Sequence, residues 1–357
     1  MLLHSFLTGG KMSDISKVDK NFSVNTKIEK DDIEFLSADS ECFEIFGVFR
    51  ENGKYRRIPE EVAKKVSEGV LRLHANTAGG RIRFVTDSPY VAINVKMGDV
   101  GKMPHFALTG SSGFDLYVDN KFRQSFVPPF DISDKYESVA ELLETGLKEI
   151  TVNFPLYSEV EELYIGLKSG SVIKKAAPYK NKKPVVYYGS SITQGGCASR
   201  PGTCYQGFVS RRLNLDYINL GFSGNAKAED EIIEYIKKLD MSVFVYDYDH
   251  NAPTVSHLEE THEKMFLEIR RANPDLPVII MPRPRFYHKP EEIRRHEIVK
   301  ATYENAVKRG DKNVYFIDHK ALTALCREEG LVDSNHPTDL GFFSMSEALI
   351  SVLDKII

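Results

Sequence analysis

The 357-residue chain is long for a single hydrophobic core, and its 42% apolar and 27% charged residues describe an ordinary folded protein rather than a disordered one. A formal net charge of −4 offers no electrostatic reason to bind nucleic acid or an anionic membrane, and no apolar run approaches the roughly eighteen residues needed to span a bilayer. Cys42, Cys197, Cys204 and Cys326 are too few and too scattered for a disulfide framework, so a reducing, cytoplasmic setting is expected.

Met1 to Lys11 has only a short semi-apolar patch broken by His4 and Ser5, with no basic start and no small-residue cleavage site; it does not read as a secretory signal, and Met12 is an alternative start. Residues 1–40 read as a polar lead-in. Residues 41–175 alternate short β-rich segments with turn signals: Phe43 to Phe49, Val70 to His74, Arg81 to Thr86, Tyr90 to Val95, Phe114 to Val118, Glu149 to Phe154 and Leu163 to Leu167. That spacing predicts an all-β sandwich, jelly-roll-like in outline. Within it, Arg81 to Thr86 alternates polar and apolar residues as a strand with one wet face would.

Five lysines between Lys174 and Lys183 mark a composition change and the expected domain boundary. Over 183–357, strand-like runs at 184–190, 217–222, 243–248, 277–281 and 314–318 alternate with helix-like stretches at 204–213, 228–239, 256–272, 291–309 and 339–356. Such alternation predicts a three-layer α/β/α domain of flavodoxin-like type, a parallel sheet covered on both faces.

The chemistry-bearing residues fall at the ends of these strands, where ligands of open α/β sheets bind. Val185 to Tyr188 runs into Gly189-Ser190-Ser191, a buried strand followed by a tight turn, which presents a serine on a rigid scaffold. Asn219 to Asn225, containing Gly224, closes the second strand, and Tyr246 to Pro253, containing Asn251, closes the third. A glycine amide and an asparagine amide there suit an oxyanion. Asp333 and His336 stand three apart in a turn, where the carboxylate can hold the imidazole and leave its other nitrogen as a general base, or simply decorate a helix start.

The order Ser, Gly, Asn, Asp-x-x-His resembles the SGNH or GDSL-like hydrolases over roughly 184–357. By that resemblance Ser191 is the nucleophile, Ser191 and Gly224 amides with the Asn251 side chain form the oxyanion hole, and Asp333 and His336 complete a triad. The family's usual Gly-Asp-Ser is Gly189-Ser190-Ser191 here, and its Gly-x-Asn-Asp is Asp249-His250-Asn251-Ala252. Gly113-Phe114-Asp115-Leu116-Tyr117 resembles the Gly-x-Asp-Leu-Tyr motif of the β domain that precedes some SGNH esterases. The resemblance implies a serine esterase of small acyl groups, acetyl foremost, on a small-molecule or oligosaccharide ester, with no cofactor and no metal. A thioesterase, a lysophospholipase-like acylhydrolase and a non-catalytic carbohydrate-binding protein are the alternatives. Ser190 is a rival nucleophile. Asn225 is a substitute oxyanion donor. Arg283 and Arg285, after the fourth strand, and Tyr117 are expected at the substrate. Cys197 and Cys204 lack metal-site spacing and are expected to be small loop or helix residues. Asp247, Asp249 and His250 are expected to belong to a loop beside the oxyanion hole, and Arg294-Arg295-His296 to a solvated helix face.

Overall fold

The structure is a computed structural model and describes residues 26–357; the expectations for Met1 to Lys11 and for most of the polar lead-in lie outside the described residues. The N-terminal unit packs two antiparallel sheets face to face. One has the strand order Ile33–Ser37, Val160–Lys168, Tyr90–Met97, Lys135–Glu141. In the other, Ile173–Lys174, Arg81–Thr86, Lys148–Asn153, Phe114–Val118 and Lys121–Phe126 lie in order, with Glu44–Phe46 also paired to Arg81–Thr86. Alternate residues point inward, so Ile82, Phe84, Leu116, Ile150 and Val152 of one sheet meet Val91, Ile93, Val95 and Ile165 of the other.

The C-terminal unit has a five-stranded, all-parallel sheet ordered Tyr217–Gly221, Val185–Gly189, Val243–Asp247, Val278–Ile280, Val314–Phe316. Val185–Gly189 thus sits between the second and third strands, and the topological switch falls at its carboxyl end. Both sheet faces are covered. Val186 and Tyr188 point into a layer with helices Asp230–Ile236, Val255–Ala272 and Pro290–Lys308, while Val185 and Tyr187 point into the layer with Tyr205–Leu213 and Asp339–Leu353. Among the described residues no helix is long and apolar enough to cross a membrane.

Three expectations change. Val70 to His74 is not a strand but part of helix Glu68–Leu73: the Ser67 hydroxyl accepts from the Val70 N–H at 3.2 Å, and Val70 and Leu73, three apart, share a buried face. The outer side of Arg81–Thr86 is dry. The Arg81 guanidinium lies 3.9 Å over the Tyr217 ring and pairs with Asp216, both on the C-terminal unit. Strand Ile33–Ser37 falls inside the stretch read as polar lead-in and pairs in register with Val160–Lys168.

The expected boundary separates two sheets but not two cores. Ile58, Ala63, Val66, Val70 and Leu73 share a buried apolar layer with Val186, Leu220, Ile233 and Phe244, and Phe106, Leu156 and Tyr157 share another with Tyr187, Tyr205 and Phe342. Arg57 crosses the same seam, 2% exposed. Its Nε donates to the Asn76 carbonyl at 2.8 Å, Nη2 to Leu73 at 2.6 Å, and Nη1 to Gly221 at 2.6 Å and Asn219 at 3.2 Å.

Replacing Arg57 takes its donors from those carbonyls, at about 1–3 kcal/mol for each one left unpaired, although Leu73 keeps the Asn76 N–H at 3.1 Å. Arg57→Met is therefore expected to lower the thermal midpoint by several degrees. A chain beginning at Lys183 is expected to lose its near-ultraviolet circular dichroism, because both apolar layers would face water. An unchanged midpoint in Arg57→Met, or a cooperatively melting fragment, would show the units to be independent.

Candidate active site

Gly189 ends the central strand where the backbone of the third strand passes close by: a Cβ at Gly189 would stand 2.1 Å from the Asp247 carbonyl oxygen and 2.2 Å from Thr193 Oγ1. Only glycine lets the chain turn so tightly there. Ser190 and Ser191 then divide two tasks. Ser190 is the N-cap of the short helix Ser191–Gln194, accepting from the Ile192 N–H at 3.2 Å, and is 1% exposed. This is what stands in place of the usual aspartate. Ser191 follows at the first helical position, 7% exposed, and its hydroxyl is 2.9 Å from His336 Nε2. Its own N–H, in the first turn, has no intrahelical acceptor.

His336 is held by its neighbour three residues back. Asp333 Oδ2 is 2.8 Å from His336 Nδ1, while Oδ1 accepts the backbone N–H of Asn335 at 3.1 Å and of His336 at 2.8 Å. Ser334 takes a left-handed conformation, φ 66°, to close this turn. Partial burial works against the Asp333 charge, but the His336 and Asn335 N–H groups outweigh it and hold the carboxyl below its ordinary value. A carboxylate so fixed selects the imidazole tautomer with Nδ1 protonated and Nε2 facing the serine. Asp339, six residues after Asp333, accepts from the Ser199 N–H and the Thr203 hydroxyl at 2.7 Å each, tying the loop after Ser191 to the start of helix Asp339–Leu353.

Of the other expected residues, Gly224 has φ 71° with open space around it, and its N–H meets no acceptor among the described residues. The Asn251 side-chain oxygen accepts from the Ala226 N–H at 3.4 Å, and its NH2 group meets no acceptor among the described residues. Asn225 is occupied, its amide donating to the Ser223 carbonyl at 2.7 Å. Cys204 is buried and Cys197 partly so; burial pushes the Cys197 thiol up to about 12, so it stays protonated at neutral pH.

Arg283 and Arg285 do not present free guanidinium groups: both bind Glu292, at 2.8 and 3.1 Å. Tyr117 is 2% exposed and lies under Arg211, whose guanidinium is 4.2 Å above its ring. Its neighbour Asp115 accepts from the Asn153 side chain at 2.7 Å and from the Gly202 N–H at 2.8 Å. The motif at Gly113 to Tyr117 thus docks one unit on the other, and the expectation of substrate contact by Tyr117 is corrected by that burial. Arg295 is likewise not on a solvated face; it is buried and donates to the carbonyls of Asp249 at 2.9 Å and Ala252 at 3.0 Å, bracing the loop that carries Asn251.

Three residues that sequence reasoning missed come from the N-terminal unit. The Tyr157 hydroxyl donates to the Ser191 carbonyl at 3.2 Å, and Asn76 accepts from the Gln194 amide at 3.0 Å. His105 Nε2 lies 4.0 Å from Asp333 Oδ2, its ring centroid 5.7 Å from that of His336. Nothing in the local sequence around these positions signals their long-range partners.

Beneath Ser191, Asp247 accepts from the Thr193 hydroxyl at 2.8 Å and the Tyr205 hydroxyl at 3.2 Å through one oxygen, leaving the other buried without a partner. Burial, aided by the nearby Asp249, pushes its carboxyl up to about 7 from an ordinary 3.8. Between those two values the folded chain keeps a proton that the unfolded chain has released, so this group's contribution to stability is full below about pH 4 and is lost as pH rises through about 7. Asp247→Asn, neutral throughout and still able to accept from both hydroxyls, is expected to be more stable than the native protein at pH 8. The gain is bounded at about 4 kcal/mol, since one pKa unit is about 1.4 kcal/mol. Thermal midpoints measured from pH 4 to 8 should slope less steeply in the variant; identical slopes would assign the dependence to other groups.

Residues 182–354 match the model of the GDSL-like lipase/acylhydrolase family, and residues 33–173 match that of the N-terminus of SGNH-hydrolase-type esterases. No curated protein matches the chain. A solved structure of a putative GDSL-like lipase from Bacteroides ovatus is 30% identical, with 91% of this chain and 98% of that one covered and a TM-score of 0.81. An acetyl xylan esterase from Butyrivibrio proteoclasticus shares the fold at 13% identity, with 90% and 98% coverage and a TM-score of 0.57. The salicylyl-acyltransferase SsfX3 of a tetracycline biosynthetic pathway does so at 20% identity, with 91% and 98% coverage and a TM-score of 0.74. With both of its units matched in order, and a relative at 30% identity along nearly its whole length, the chain belongs to the GDSL-like lipase/acylhydrolase family of SGNH-type esterases.

Proposed function

We propose that the protein is a serine esterase that hydrolyses small acyl esters, acetyl foremost, carried on a carbohydrate. The observation that carries this reading is the unbroken relay from Ser191 Oγ to His336 Nε2 at 2.9 Å and from His336 Nδ1 to Asp333 at 2.8 Å. Ser191 attacks the ester carbonyl while His336 takes its proton and then delivers it to the departing alkoxide; water, deprotonated by His336, releases the acyl group. Asp333 steadies the imidazolium formed in each half. The amides of Ser191 and Gly224 and the Asn251 side chain supply the oxyanion donors. That Ser190 spends its hydroxyl on a helix cap supports Ser191 over its neighbour as nucleophile. Support for a carbohydrate ester comes from shared architecture with the acetyl xylan esterase, and from a β-rich unit whose His105 reaches the rim of the site.

A fluorophosphonate probe is expected to label the native protein and Ser190→Ala but not Ser191→Ala; labelling that survives only in Ser191→Ala would transfer the role to Ser190. Hydrolysis of 4-nitrophenyl acetate, butyrate and octanoate beside acetylated oligosaccharides ranks the acyl groups, with acetate expected first. On the best of these substrates Asn251→Ala is expected to lose about 100- to 1000-fold in kcat, the usual cost of one oxyanion donor. Near-native turnover would remove Asn251 from the oxyanion hole.

A further inference from the structure

At the other edge of the parallel sheet the chain assembles a second set of donors that the relay around Ser191 does not use. His296 on helix Pro290–Lys308, Asp318 just beyond strand Val314–Phe316, and His319 beside it each offer one ligand atom, and the three atoms lie within 4.8 Å of one another. His296 Nε2 is 3.1 Å from Asp318 Oδ2, and His319 Nε2 is 3.7 Å from Asp318 Oδ1. The His319 ring is already oriented, because its Nδ1–H donates to the Arg285 carbonyl at 2.8 Å and leaves the Nε2 lone pair turned to the carboxylate. Metal-ligating imidazoles are fixed in this way. A third imidazole, His288, stacks on His319 with centroids 3.9 Å apart, and its Nε2 is buried without a partner.

An ion pair of Asp318 with one imidazole, plus its cap on the Lys320 N–H at 2.9 Å, accounts for Asp318 alone. It gives no reason for two further rings packed against it, nor for a buried ring nitrogen with nothing to bond.

We propose that His296, Asp318 and His319 form a binding site for a first-row divalent cation, zinc foremost, with the fourth position open to water or to His288. Two imidazole nitrogens and one carboxylate oxygen with an open fourth place are a donor set that zinc accepts. The site is separate from the relay and acts on a loop. Arg285, whose carbonyl orients His319, shares Glu292 with Arg283, and the Arg283 N–H donates to Asp249 at 3.2 Å, two residues before Asn251. A bound ion would fasten the segment 281–289 between these anchors.

The test uses the full-length protein, dialysed against chelator and then titrated with zinc by calorimetry and with cobalt by visible absorption. One equivalent is expected to bind, with the intense ligand-field bands of four-coordinate cobalt. At a hundredfold excess over Kd the thermal midpoint is expected to rise by about 4 °C. His296→Gln, His319→Ala and Asp318→Asn, the last able to keep its helix cap, should each weaken binding at least tenfold, with circular dichroism checking the fold. Cys197→Ser should bind as the native protein does, which separates this site from the other compact donor group, His105, Cys197 and His336. Absence of saturable binding, binding that survives all three ligand substitutions, or binding that disappears in Cys197→Ser would overturn the proposal. None of these outcomes depends on the protein hydrolysing esters.

Discussion

The rest of the structure depends on one buried cation. Arg57 is almost fully withdrawn from water and meets no carboxylate among the described residues; it is held by four main-chain carbonyls, two from its own unit and two from the strand beside the nucleophile's. Desolvation draws the guanidinium down to about 9, yet it remains charged at neutral pH. A planar fork with five donors can satisfy four carbonyls at once, which a lysine cannot. The carbonyls of Asn219 and Gly221 flank the turn into the second block, so the position of Gly224 is set partly by a residue that sits outside the α/β layer. The N-terminal unit is thus part of the scaffold of the site as well as its neighbour.

Two carboxylates near the nucleophile show how position sets protonation. Asp333 is half in water, accepts three N–H groups and is held below its ordinary value; Asp247 is sealed beneath the turn, accepts two hydroxyls and is pushed up to about 7. The first can steady an imidazolium. The second, largely stripped of solvent, works as an acceptor that pins Thr193 and Tyr205 and so fixes the helix on which Ser191 begins. Opposite shifts at two carboxylates separate their roles.

Much of the α/β unit was legible because its signals are local. Each strand is a short apolar run, the first two ending in Gly, the long helices are periodic stretches, and Ser191, Gly224, Asn251 and the Asp333 to His336 turn each fall at a strand or loop end. Less of the N-terminal unit could be read. Val70-Leu71-Arg72-Leu73 is a short apolar run for which length and spacing do not separate strand from helix; the Ser67 cap decided it. Arg81 and Arg295 look like surface charges in sequence, but one stacks on Tyr217 and the other binds two carbonyls of the loop that carries Asn251. Tyr117 alternates outward as expected, yet outward at that strand is the interface between units. Arg57, Asn76 and His105 act on partners more than a hundred residues away, and Tyr157 on one 34 residues away in the other unit, and periodicity carries no trace of such pairings.

His105 draws these threads together, since it places an imidazole of the N-terminal unit beside the relay. Its Nε2 is 4.0 Å from the same Asp333 oxygen that His336 uses, and its ring centroid is 5.7 Å from that of His336. It places a hydrogen-bonding ring edge beside the relay, on the N-terminal unit's side of the site. The β-rich unit therefore influences the site through two different physical routes. Arg57 and Tyr157 fix backbone positions by hydrogen bonds, whereas His105, partly exposed, stands beside the Asp333 carboxylate itself. Separating these routes requires substitutions on the intact chain, because the apolar layers shared by the two units give neither a complete core alone.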